Sequence, residues 1–108
     1  MERLLRDNHR LWELFEVITL LEDGEDCARF FRDLCTISEL EAMAERWEIV
    51  KLIEEGIPYR RISETTGAST TTVTRIAHWL KYGEGGYRLM LKRLERVGWQ
   101  KDPDSIES

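Results

Sequence analysis

The apolar positions of this chain recur at three- and four-residue steps, and nowhere do they alternate as a half-buried strand would. Over residues 2–22, Leu4, Leu5, Leu11, Trp12, Phe15, Ile18 and Leu21 form one stripe and predict a first helix. Leu4, Leu11 and Ile18 are also seven apart, a spacing that suits packing on a partner helix as well as on the same chain. Glu22-Asp23-Gly24-Glu25-Asp26 ends this helix, and a short one near 26–34 follows, with Phe30, Phe31 and Leu34 inside. Thr36-Ile37-Ser38-Glu39 fits a capping box, in which Thr36 accepts from a backbone N–H and Glu39 reaches back. It opens a third helix whose Leu40, Met43, Trp47, Val50 and Ile53 repeat at helical spacing. Gly56 stops that helix, and Pro58 suits the first turn of the next, at about 58–66. Gly83-Glu84-Gly85-Gly86 reads as a flexible break, after which Tyr87 to Val97 resumes a helix through Leu89, Met90, Leu91 and Leu94. The expected fold is all-α, a single domain over 1–98 with a disordered polar tail at 99–108.

Between these helices lies the most informative stretch, a helix-turn-helix at about 59–81. Such a motif needs two short helices at a fixed angle. Ser63 supplies the small residue where they pack closely, and Gly67 tolerates the left-handed conformation of the turn. Ile62, Ala68, Val73 and Ile76 are spaced to face inward, while Thr66 is polar where an aliphatic is usual. Ser69 is placed to cap the second helix. Its outer face then shows Thr70, Thr71, Thr74, Arg75 and His78, groups suited to base edges or phosphates in a major groove. Threonine is a mediocre helix former, so four of them within five residues at a helix start call for a role beyond stability.

The formal net charge of −5 argues against a DNA binder only until it is divided. Residues 1–56 carry seven Lys/Arg against fifteen Asp/Glu, whereas residues 57–82 carry Arg60, Arg61, Arg75 and Lys81 against Glu64 alone. Local sign governs contact with phosphates. The expected DNA-contacting set is Arg60, Arg61, Ser69, Thr70, Thr71, Thr74, Arg75, His78 and Lys81. Other classes find little support. There is no nucleophile–base pair and no phosphate-binding loop, so no enzyme is expected. The acids lack the spacing of a calcium loop, and no metal site is expected. Cys27 and Cys35 read as two buried, reduced thiols, and Trp12, Trp47 and Trp99 as core or dimer packing. No run approaches the ~18 apolar residues of a membrane span, and Met1 to Asp7 carries no signal-peptide core, so a cytoplasmic protein is expected.

Residues 34–81 resemble the core of the Trp repressor family. The resemblance rests on Thr36, Arg46, Gly67-Ala68 and Thr74-Arg75, and on Leu34-Cys35-Thr36-Ile37-Ser38-Glu39-Leu40-Glu41-Ala42-Met43. The closing Tyr82-Gly83-Glu84-Gly85-Gly86-Tyr87 is similar to the YerC/YecD branch of that family. The chain is one residue shorter around Gly56–Pro58. The resemblance implies an intertwined homodimer that binds double-stranded DNA through residues near 60–78. It also implies a pocket for a corepressor, L-tryptophan, with Thr36, Arg46 and Arg75 at positions that hold the ligand's carboxylate and flank its indole. Two residues depart from that pattern: Ile76 stands where the family has a glycine against the indole, and Trp79 where it has a small serine. Both add bulk, so Trp79 is expected to fill part of the pocket, with Arg46 stacked on its ring. The expected function is a DNA-binding regulator, a repressor, without a corepressor. A helix-turn-helix that docks on a protein, an RNA-binding role, and a tryptophan-dependent or other ligand-dependent repressor remain open alternatives.

Overall fold

In the computed structural model, residues 6–99 are described, and six helices are laid out among them, with no strand among the described residues. They are α1 (His9–Ile18), α2 (Gly24–Leu34), α3 (Ile37–Glu54), α4 (Tyr59–Thr66), α5 (Thr70–Tyr82) and α6 (Gly86–Arg96). The first residues of the helix predicted over 2–22, and the tail beyond Trp99, lie outside the described residues. No described helix is long and apolar enough to cross a membrane.

Local capping chemistry sets most of the boundaries, and it corrects the predicted first helix. The Asn8 side chain accepts from the Leu11 N–H at 3.0 Å, so α1 starts at His9. It ends at Ile18, and the Thr19 hydroxyl donates to the Glu16 carbonyl at 2.6 Å. Asn and Thr offer the backbone an alternative partner and so favour helix ends over interiors. Asp23, expected within a terminating run, instead starts α2 by accepting from the Asp26 N–H at 2.8 Å. The capping box of α3 is present in both directions. The Glu39 N–H donates to Thr36 Oγ1 at 3.1 Å, and the Thr36 N–H donates to Glu39 Oε1 at 2.8 Å.

The Thr36 backbone N–H, and secondarily the Thr36 side chain, hold the Glu39 carboxyl below its ordinary pKa. A carboxyl depressed in the folded state adds stability that is fully present above its unfolded pKa. That stability is lost as pH falls through the lower folded value. The Glu39 carboxyl carbon, followed by NMR, is expected to titrate below an unstructured glutamate. Replacing Thr36 by alanine keeps the backbone N–H and removes only the hydroxyl, so the midpoint should rise part of the way toward the ordinary range. An unchanged midpoint in that variant would exclude the Thr36 side chain as a contributor.

The packing divides the chain into two units, with the boundary between Ala44 and Glu45 inside α3. In the first, α1 and α2 contain no buried residue. Trp12 packs edge-on against Phe15 with centroids 5.7 Å apart, and Phe30 against Phe31 at 5.6 Å. Cys27 and Cys35 are free thiols, and both are half-buried rather than enclosed. The second unit holds the core: Ile49, Val50, Leu52, Ile62, Ala68, Val73, Ile76 and Leu80, with Trp47, Ile53, Ile57, Tyr87 and Leu91 packed against it. The apolar side chains of α3 are distributed around its axis, so the residues it buries are Ile49, Val50 and Leu52, while Met43 of the predicted stripe is exposed.

Two further expectations change in this unit. The glycines at 83–86 build a defined turn rather than a break. The Gly83 N–H donates to the Trp79 carbonyl at 2.8 Å and closes α5. Gly85 takes a left-handed φ of 82° at the start of α6. A Cβ on Gly83 would overlap that same carbonyl, so only glycine fits there without a backbone shift. Trp99, expected in a disordered tail, is anchored: its N–H donates to the Leu94 carbonyl at 3.1 Å, and Lys51 Nζ lies 5.4 Å from its ring centroid. Arg88 Nη1 pairs with Glu54 Oε2 at 2.6 Å, tying α6 to the end of α3.

Candidate nucleic-acid interface

Helices α4 and α5 are joined by only Gly67, Ala68 and Ser69, and nearly every polar group of this turn is engaged. Gly67 adopts φ 81°, and its N–H donates to the Ser63 carbonyl at 2.9 Å. The Ser63 hydroxyl donates to the Ala68 carbonyl, which explains the need for a small polar residue at that point of α4. Thr66, the odd member of the apolar pattern, folds its hydroxyl back. It donates to the Ile62 carbonyl at 2.8 Å and accepts from the Ala68 N–H at 3.2 Å. Ser69 accepts from the Thr72 N–H at 3.1 Å and caps α5. Beneath the turn, Ile62 and Val73 are fully buried and Ala68, Ile76 and Leu80 nearly so. Apolar burial and satisfied polar groups together fix the angle between the two helices.

The outer face of this pair carries the residues expected from the sequence. Thr70, Thr71, Thr74, Arg75 and His78 are all exposed on α5, and Arg60 and Arg61 on α4. The Thr74 hydroxyl donates to the Thr70 carbonyl at 2.9 Å, so its oxygen faces a ligand as an acceptor. Arg60 Nε lies 3.5 Å from Glu64 Oε1. With both side chains largely in solvent, that pair is worth little and yields readily to a phosphate. At the far end of α5, the His78 ring lies 5.1 Å from that of Tyr82, and Lys81 Nζ lies 5.4 Å from the same Tyr82 ring. Tyr82 is absent from the set expected from the sequence. Its 65% exposure beside His78 and Lys81 places it on the same surface, and the Arg75–His78–Tyr82 spacing is the signal that could have found it.

Of the five residues expected around a ligand, Arg46, Arg75, Ile76 and Trp79 lie in the second unit. Thr36 belongs to the first unit, where it is engaged in its capping box. Arg46 and Arg75 are exposed. Ile76 is buried in the core, on the stripe that it shares with Val73 and Leu80. Trp79 is 58% exposed. The cation–π contacts found among the described residues use Lys51 and Lys81, and Arg46 does not stack on Trp79. The reason is helical phase: Trp79 lies four residues from Arg75 and three from Tyr82, so it shares their outward stripe.

Comparison with known proteins agrees with this architecture. The family model of the Trp repressor protein matches residues 9–95. The uncharacterised protein YerC of Bacillus subtilis (strain 168) is 43% identical over 85 residues, which is 79% of this chain and 82% of YerC. A TrpR-like protein from Eubacterium eligens ATCC 27750 superposes with a TM-score of 0.79 at 35% identity, covering 94% of this chain and 100% of that one. A crystal structure assigned as a Trp repressor from Staphylococcus aureus gives a TM-score of 0.78 at 33% identity, covering 94% of this chain and 99% of that one. On sequence and fold alike, the chain belongs to the Trp repressor family, in the branch that contains YerC.

Proposed function

We propose that this protein is a cytoplasmic, homodimeric, sequence-specific DNA-binding regulator that represses transcription and needs no tryptophan corepressor. The observation that carries the reading is the locked turn between α4 and α5. It holds a threonine- and arginine-rich helix face rigidly outward, with four positive charges around a single glutamate. The base edges are read from α5, by Thr70, Thr71, Thr74 and His78, while Arg60, Arg61, Arg75 and Lys81 meet phosphates. The capped N-terminus of α5 adds its backbone amides to that attraction. Two amphipathic helices, α1 and α2, enclose no residue within one chain. Their Trp12, Phe15, Phe30 and Phe31 supply apolar area for a second copy, which supports the dimer. Ile76, packed in the core where the family has a glycine, supports independence from tryptophan.

The test is retention of genomic DNA fragments by the purified protein across a salt series, with and without millimolar L-tryptophan. Affinity is expected to fall steeply with salt, since each neutralised phosphate releases about one counterion. L-tryptophan is expected to change nothing. Affinity gained with tryptophan would restore the corepressor model. No salt-dependent DNA retention at all would favour a helix-turn-helix that docks on another protein.

A further inference from the structure

We propose that Thr74 reads an exocyclic amine: it accepts a hydrogen bond from adenine N6 or cytosine N4 in the major groove and is not a phosphate contact. The inference rests on the DNA-binding reading and names the base chemistry that one residue of that face selects.

The observation is the direction of one proton. The Thr74 hydroxyl donates to the Thr70 carbonyl at 2.9 Å, one turn back along α5. A hydroxyl has a single proton and two acceptor lone pairs, so what Thr74 turns outward is acceptor capacity alone. Threonine is stiff at χ1, and the bond to the carbonyl four residues earlier selects one rotamer, so the oxygen and the methyl group keep fixed directions. Thr74 is exposed, on the same outer face as Thr70, Thr71, Arg75 and His78. Donation to Thr70 also makes the hydroxyl a better acceptor, since hydrogen bonds in a chain polarise one another.

The surface of a duplex offers few partners to an acceptor. Phosphate oxygens are acceptors, and so are guanine N7 and O6, adenine N7 and thymine O4. Thr74 bonds to any of these only by taking its proton away from Thr70, which exchanges one hydrogen bond for another. The donors in the major groove are adenine N6 and cytosine N4. Toward them the internal bond is kept and a second is added, and that difference is the basis of selection. Every base pair carries one such amine, so Thr74 distinguishes the two orientations of a pair: adenine or cytosine on the strand it faces, rather than thymine or guanine. The neighbouring Arg75 has donors only, and so suits the phosphates for which Thr74 has no free proton.

The test uses the full chain and DNA with single groups deleted. Selection on a randomised duplex library, with the wild type and with Thr74→Val, identifies the base pair at which discrimination is lost; valine keeps the branched shape and removes the hydroxyl. At that pair the amine is deleted, with purine for adenine or 2-pyrimidinone for cytosine. The carbonyl opposite is deleted in a second duplex, with 5-methyl-2-pyrimidinone for thymine or 2-aminopurine for guanine. Both deletions interrupt the same Watson–Crick hydrogen bond, so each serves as the control for the other. Loss of the amine is expected to weaken the wild type roughly three- to tenfold more than it weakens Thr74→Val, the worth of one hydrogen bond. Loss of the carbonyl should weaken both proteins equally. Thr74→Ser, which retains the hydroxyl, should behave as the wild type, and circular dichroism would verify that the variants fold. Coupling of Thr74 to the carbonyl, or to a phosphate neutralised as a methylphosphonate, would overturn the proposal. So would a Thr74→Val variant that keeps the preference at every position. In each of these cases specific binding by the wild type leaves the regulator reading standing. A wild type that selects no sequence at all would overturn that reading, and this one with it.

Discussion

Replacing Ile76 by alanine is expected to destabilise the protein by about 2–5 kcal/mol, the range for truncating a large buried aliphatic side chain. Trp79→Ser removes more atoms, yet it is expected to cost far less. The inequality follows from position rather than size. Ile76 is 5% exposed and packed among Val73, Leu80 and the buried face of α3, so the deleted atoms leave a cavity that close-packed neighbours fill only in part. Trp79 is 58% exposed, and its truncation removes surface rather than core. Urea unfolding at fixed protein concentration measures both, and the slope of each transition shows whether the two-state description holds. Equal costs would mean that Trp79 is buried in the assembled protein. The same pair of variants separates two readings of the family's ligand position. If Ile76 and Trp79 together filled a corepressor slot, each would be costly to remove and the costs would be coupled, because both would line one cavity. In this structure they point to opposite environments, and their effects should add.

Much of the architecture is legible in the sequence because its signals are local. A capping box joins residues three apart, and Thr36 with Glu39 can be read as a pair before anything else is known. Gly67 and Ser69 are of the same kind, a left-handed turn and a helix cap written in nearby residues. The inward face of the helix-turn-helix is legible too, since Ile62, Ala68, Val73 and Ile76 are all buried as their spacing requires. What escapes depends on competition between local options. Asn8 sits inside an apolar stripe that continues past it on both sides, and only the hydrogen bond from Leu11 shows that it starts the helix instead. Asp23 reads as a terminator although it is an initiator, because an acidic cluster suits both ends of a short connection. Thr66 looks like a defect in the pattern, and its hydroxyl proves to bridge two backbone groups of the turn. The ligand position is less legible for a different reason. The resemblance indicates which residues stand near a family pocket, but not that Ile76 belongs to the stripe of Val73 and Leu80. Nor does it show that Trp79 follows the outward stripe of Arg75 and Tyr82. Phase along one helix decides that, and an added side chain takes the direction its own position dictates.

Alanine at Arg61 or Lys81 is expected to weaken DNA binding to a similar extent on every sequence, whereas Thr71→Ala is expected to change which sequence is preferred. Arginine and lysine at those places meet the phosphate backbone, which carries no sequence information, and each positive charge removed from it should lower the salt slope by about one. Thr71 lies in the first turn of α5, exposed, and a threonine offers a hydroxyl and a methyl group to the edge of a base pair. One good hydrogen bond to a base edge is worth roughly 1–3 kcal/mol of discrimination, and its removal has little effect on the salt slope. Arg60 is the informative intermediate. Its guanidinium is held loosely by Glu64, so Glu64→Gln should strengthen DNA binding modestly by releasing it and by removing a negative charge from the face. Binding selection on a randomised duplex library, repeated for each variant at two salt concentrations, reads preference and slope in one experiment. A Thr71 variant with unchanged preference and a reduced slope would move that residue to the phosphate-binding group. If the Arg61 and Lys81 variants altered preference instead, α5 would have to lie in the groove with its C-terminal end toward the bases, and the assignment of its N-terminal threonines as the base-reading residues would be reversed.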